Sequence, residues 1–131
     1  MMMKDKAVCT DTGMLLVRLG LGLVFAYHGW GKLQAMDGTI AFFAGLGIAP
    51  IFGYLVAWIE FLGGISMLAG LWTKWSGIAL AVVMVFAAYY AYKPADGFTS
   101  YEFPLSLAFA SLGVAFAGPG LFTVHKFFGG K

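Results

Sequence analysis

Arg18, His28, Lys32, Glu60 and Glu102 are the side chains that can move a proton, hold an anion or meet an opposite charge, and each falls within or at the edge of a long apolar run. Ionisable groups kept in such runs face a partner, a pathway or an anchor. Glu60 has no cheap structural explanation. It lies about ten residues into its run, roughly 15 Å from the start and close to mid-membrane. An unpaired carboxylate there would be strongly disfavoured or take up a proton. Arg18 lies roughly 6–8 Å to the cytoplasmic side of the midplane and has a long stem, so an Arg18–Glu60 pair is the economical expectation. Lys32 and Glu102, with His28 nearby, make a second expected pair toward the outer face. Each has a competing structural reading. Arg18 can snorkel to the interface and Lys32 can anchor a span end. His28 can be a satisfied bundle histidine, and Glu102 can favour the positive end of a helix's first turn.

The elements that position these residues follow from hydropathy. The 131 residues are 61% hydrophobic and 11% charged, with a mean hydropathy of +0.87. A water-soluble domain of this size cannot hide so much apolar side chain. The expected fold is therefore all-α: an integral membrane four-helix bundle. Its spans are 14–33, 50–71, 76–92 and 102–118, each long enough to cross a core about 30 Å thick. Residues 1–13 form a polar N-terminal tail, 14–120 the transmembrane domain and 121–131 a C-terminal tail. A further short helix, 39–46, capped by Asp37, is too short to span and lies in the interface or re-enters between the first two spans. Lys4, Lys6, Lys74, Lys126 and Lys131 collect on one side, with Arg18 close behind, against Lys32 and Lys93 on the other. Both termini are thus expected in the cytoplasm. Trp30, Trp72, Trp75 and several tyrosines near the span ends fit an interfacial belt.

Helical spacing assigns a packing stripe to each span. The first is Arg18, Gly22, Phe25, Gly29 and Lys32; the second is Gly53, Ala57, Glu60, Gly63/Gly64 and Met67. The third is Gly77, Ala81, Met84 and Ala88; the fourth is Glu102, Ser106, Phe109, Gly113 and Ala117. Gly22, Gly29, Gly63, Gly64 and Gly113 are read as packing glycines, since small residues let membrane helices approach closely.

Several functions are excluded. The net charge of +2 is dispersed, with no basic run for nucleic acid. A lone Cys9 allows neither an intramolecular disulfide nor a CxxC pair, and two distant histidines without ligand-spaced partners make no metal site.

Beyond these patterns, R-x-x-x-G at 18–22, HGWGKL at 28–33, FFAGLGIAP at 42–50, EFLGG at 60–64, GLWTK at 70–74 and Glu102 at the last span resemble the DoxX family in order, from about residue 14 to 120. The resemblance implies a small four-helix protein of the bacterial inner membrane, related to subunits of quinol-linked oxidoreductases. The chain has neither paired histidines for haem nor a thiol pair, so no cofactor held covalently or by metal ligands is expected, and any redox role is expected as a subunit rather than as a catalyst alone. The expected function is a redox-associated membrane subunit that binds a quinone or similar amphipathic molecule at Glu60, Arg18, His28, Lys32 and Glu102. Phe25, Trp58, Phe61 and Phe109 would add aromatic contact. Lipid, a membrane redox-complex protein and further copies of the chain are the expected partners. Two other readings stay open: a non-enzymatic scaffold or assembly factor, and a small proton-coupled transporter with Glu60 as coupling site.

Overall fold

The computed structural model describes residues 2–91 and 97–128. The expected end of the third span at Tyr92, the Lys93–Pro94 boundary and Lys131 lie outside the described residues. Among the described residues six helices follow in order: α1 (Met2–Gln34), α2 (Met36–Gly45), α3 (Pro50–Ala69), α4 (Thr73–Tyr90), α5 (Phe98–Ala117) and α6 (Val124–Phe127). α1, α3, α4 and α5 are each long and apolar enough to cross a membrane. The protein is an all-α, multi-pass membrane bundle.

Local chemistry explains the boundaries. α1 runs for 33 residues, roughly 50 Å against a core of about 30 Å. Its first turns, expected as a tail, are helical and continuous with the span. α1 and α2 scarcely separate: Ala35 N–H donates to Gly31, and Thr39 N–H donates to Ala35. Because the helix restarts at once, Ala35 occupies the N-cap, and Asp37 sits inside the first turn instead of capping it. α3 opens with Pro50 in its first turn, after an extended Ala49, where the missing N–H removes no helical bond. α4 and α5 start at Thr73 and Phe98, earlier than hydropathy indicated. Pro104 therefore lies inside α5, on its buried face.

α1 pairs with α3 and α4 with α5, the two pairs meeting mainly through α3 and α4. Phe25, Met67, Leu80, Met84 and Val114 anchor the core. A Cβ on Gly22 would lie 2.8 Å from the Gly64 carbonyl, one on Gly64 would lie 2.9 Å from Ala26 Cα, and one on Gly63 would meet Leu80 at 2.9 Å. The first two are backbone contacts that no side chain could share, while at Gly63 the Leu80 side chain would have to shift. The stripes assigned to α1, α3 and α4 are the buried ones. The α5 stripe is a correction. Glu102, Ser106, Phe109, Gly113 and Ala117 are all exposed, and a Cβ on Gly113 would meet nothing within 4 Å. The face that packs on α4 is instead Pro104, Ala108, Ser111, Val114 and Ala115. Both faces of α5 carry small residues, so composition did not distinguish them.

The expected Arg18–Glu60 pair does not form. Arg18 is 1% exposed, and its guanidinium donates to four backbone carbonyls. Nε reaches Met67 O at 2.9 Å and Nη2 reaches Leu68 O at 3.2 Å. Nη1 reaches Pro119 O at 2.8 Å and Phe122 O at 2.7 Å. The reason lies at the C-terminus of α3. Gly70 adopts a left-handed φ of 75°, and the N–H groups of Gly70 and Leu71 both turn back to Ser66 O. That leaves Met67 and Leu68 carbonyls at the negative end of a helix, where a cation is favoured. The same guanidinium draws the strap after α5 across the bundle end. The Leu121 N–H adds a bond to Asp11 Oδ1 at 3.2 Å, and Thr123 caps α6 by accepting from the Lys126 N–H.

Candidate functional site

The other end of α1 is built around Lys32 and Glu60. Gly29 brings it about: a Cβ there would lie 2.6 Å from Phe61 Cα and 2.8 Å from the Glu60 carbonyl carbon. α1 and α3 thus touch backbone to backbone beside Glu60. One turn later along α1, Lys32 Nζ reaches Glu60 Oε2 at 2.6 Å. The two side chains are 31% and 4% exposed, so the carboxylate is enclosed and the ammonium is its cap. The stem of Lys32 turns inward. Both the expected Lys32–Glu102 pair and the span-end anchor are therefore corrected: Lys32 is committed to Glu60, while Glu102 is exposed near the start of α5.

Lys32 also lines a cavity of about 250 Å³ between the two helix pairs, with Phe25, Phe43, Met84, Tyr90 and Pro104 among its walls. An open groove of about 510 Å³ between α1 and α2 adjoins it, lined by Trp30, Gln34 and Thr39. His28, Lys32, Phe42 and Phe43 line both spaces, so Lys32 stands where the open groove meets the largely apolar cavity. His28 is exposed and stacks edge-on against Tyr27, centroids 5.7 Å apart. The Thr39 hydroxyl, 3.1 Å from the Ala35 carbonyl and 3.2 Å from that of Lys32, fastens α2 over this corner.

A DoxX family profile matches residues 13–93. The chain belongs to the DoxX family. Among its relatives is the Bacillus subtilis (strain 168) protein named "Putative oxidoreductase CatD", 33% identical over 122 residues, covering 92% of this chain and 91% of that one. Another is the "Inner membrane protein YqjF" of Escherichia coli (strain K12), 28% identical over 119 residues, covering 88% of this chain and 92% of that one. No solved structure matches.

In this DoxX protein the five residues expected to form one polar site separate into three places. Lys32 and Glu60 form the pair, with His28 beside it. Arg18 closes the opposite end of the bundle, and Glu102 lies outside. Of the aromatic residues expected to line the site, Phe25 does so. Phe61 belongs to a separate cluster with Trp30 and Trp58, and Phe109 is 69% exposed. The residues missed are Phe42, Phe43, Met84 and Tyr90. The adjacent phenylalanines of α2 were a usable signal, since a helix too short to span brings its apolar face down onto whatever the flanking spans leave uncovered. Chemically, an ammonium on an aromatic wall can donate to an acceptor oxygen of a ligand. Lysine carries three N–H donors, and Glu60 occupies one of them.

Proposed function

We propose that this DoxX protein is a redox-associated subunit that binds a quinone or a similar amphipathic molecule in the cavity beside Lys32. The observation that carries this reading is Lys32 on the wall of a chamber of about 250 Å³ whose described lining is mostly apolar and aromatic. Small-molecule sites are apolar pockets with a few placed polar groups. A space of about 150 Å³ already holds a benzene ring, so this chamber suits a single substituted ring and the first carbons of a tail. Lys32 would donate to a ring carbonyl, with His28 as the second polar group at the mouth. The word oxidoreductase in the name of the Bacillus relative is consistent with it, and the name of the Escherichia relative supports placement in the inner membrane. The lysine distribution supports a reading with both termini in the cytoplasm and the cavity in the outer half. The exposed N-terminal turns of α1, beyond the bundle, offer a redox partner protein a helical surface on the cytoplasmic side.

Protein purified from native membranes should yield quinone on lipid extraction. Added short-chain quinone should raise its melting temperature, saturation at about 100 Kd contributing about 2.7 kcal/mol. Met84→Trp, which fills the chamber, should abolish both effects. Absence of extractable quinone together with an unmoved melting temperature would sink the reading. A stoichiometric protein partner cross-linked in native membranes, with no small molecule bound, would put the scaffold reading in its place.

A further inference from the structure

We propose that Glu60 sets the charge preference of the cavity, making it a site for neutral, carbonyl-bearing amphiphiles that excludes their anionic counterparts. The inference rests on the ligand-binding reading above and concerns what kind of head group the site accepts. Among the described residues that line the cavity, Lys32 is the one lysine or arginine, and His28 is the other ionisable side chain with a basic nitrogen. A lone ammonium beside an apolar chamber would recruit carboxylates, and a membrane offers fatty acids in abundance. Here the ammonium is already neutralised, with Glu60 Oε2 at 2.6 Å and its side chain only 4% exposed.

An anion arriving at Lys32 therefore meets a second negative charge a few ångströms behind the first positive one. In a low-dielectric surround that repulsion cancels much of the attraction, and the anion's lost hydration goes uncompensated. A neutral carbonyl loses far less hydration and needs only a donor. Lys32 retains N–H groups beyond the one given to Glu60, so one can turn to the cavity without breaking the pair. Specificity of this kind comes from penalising the wrong ligand as much as from holding the right one. The groove strengthens the case, because an amphiphile entering beneath α2 passes the same Lys32 before it reaches the chamber.

The test uses the full-length protein in detergent, with dodecanoate and its methyl ester as probes matched in shape and differing in charge. Displacement of a short-chain quinone reports both. The wild type should bind the ester about tenfold or more tightly than the acid. Glu60→Gln should strengthen dodecanoate binding about tenfold relative to the ester, removing most of the difference between them. Lys32→Met with Glu60→Gln should remove that gain and weaken the ester as well, because the donor to its carbonyl is gone. Equal binding of acid and ester by the wild type overturns the proposal, and this arm needs no variant to fold. A ratio unmoved by Glu60→Gln overturns it as well. Quinone binding with an unmoved ratio leaves the ligand-site reading standing; failure of the wild type to bind quinone, ester or acid removes both.

Discussion

α1 carries a cation toward each end of its span, and the two are neutralised in opposite ways. Arg18 is sealed by four carbonyls from two chain segments and is all but fully buried. Lys32 has one carboxylate and remains about a third exposed toward a cavity and a groove. A rigid planar fork matched to fixed backbone acceptors makes a structural joint. A flexible ammonium with donors to spare makes a place where something else can bind. Under the proposed function, this difference gives one end of the bundle a structural role and the other the ligand site.

The sharpest way to break the comparison is at Arg18. Arg18→Leu strands carbonyls at the end of α3 and in the strap after α5, and should destabilise the protein by about 3–5 kcal/mol in detergent unfolding, given about 1–3 kcal/mol for each buried group left unsatisfied. Arg18→Lys should rescue little, because a point charge cannot span four acceptors set around a fork. Combined with Glu60→Gln, the losses should add to within about 0.5 kcal/mol. A strong positive coupling would show that the two charges interact after all, and the division between the ends would fall.

Next comes the contact that builds the Lys32 end. Gly29→Ala pushes a methyl into the α3 backbone at Phe61, which cannot swing aside as a side chain would. A loss of about 1–3 kcal/mol is expected, together with weaker quinone-dependent stabilisation, since Lys32 and Glu60 are moved apart. Unaltered ligand response in a folded Gly29→Ala protein would separate the site from this close approach.

The ion pair itself should respond asymmetrically. Lys32→Met leaves an enclosed carboxylate without its cap, while Glu60→Gln leaves an ammonium that can reach the groove. Lys32→Met should be the costlier by about 1 kcal/mol, and adding Glu60→Gln to it should recover about that amount. A double-mutant cycle on melting temperature decides this. Zero coupling would mean that the pair contributes nothing to the bundle and that its geometry serves the ligand alone.

Much of this arrangement was legible in the residues, for reasons that also mark where legibility stopped. In α1 and α3 the helical stripe through the ionisable residues coincides with the glycine stripe, and burial follows it. The partners of Arg18 were invisible because they are backbone carbonyls, which no residue type announces. The trace that remained was indirect: chain breaks at Gly70 and at Gly118-Pro119-Gly120 both lie at the Arg18 end, and helix ends leave carbonyls unsatisfied. Lys32 went to Glu60 instead of Glu102 because Gly29 lets α1 and α3 meet backbone to backbone. Sequence spacing gives depth along a helix but not which neighbour comes that close.

α5 is where the same rule misled, and it supplies the gentlest test. Glu102 and Gly113 share a stripe, yet the charge sits near the helix start, where water can reach it, and so carries no information about the buried face. The packed face is marked instead by Ser111, fully buried with a hydroxyl that has no hydrogen-bond partner among the described residues, next to the close approach of Gly77 to the α5 backbone. Gly113→Ala should therefore leave stability unchanged or raise it by up to about 1 kcal/mol, the ordinary helical preference for alanine. Gly77→Ala should lower it, because its methyl would strike the Ser111 carbonyl and Ala115. Parallel unfolding curves of the two variants measure the contrast between faces of one helix. A loss at Gly113 comparable to that at Gly77 would mean that the outer face of α5 is covered in the membrane by another helix, and that this stripe packs against a partner outside the chain.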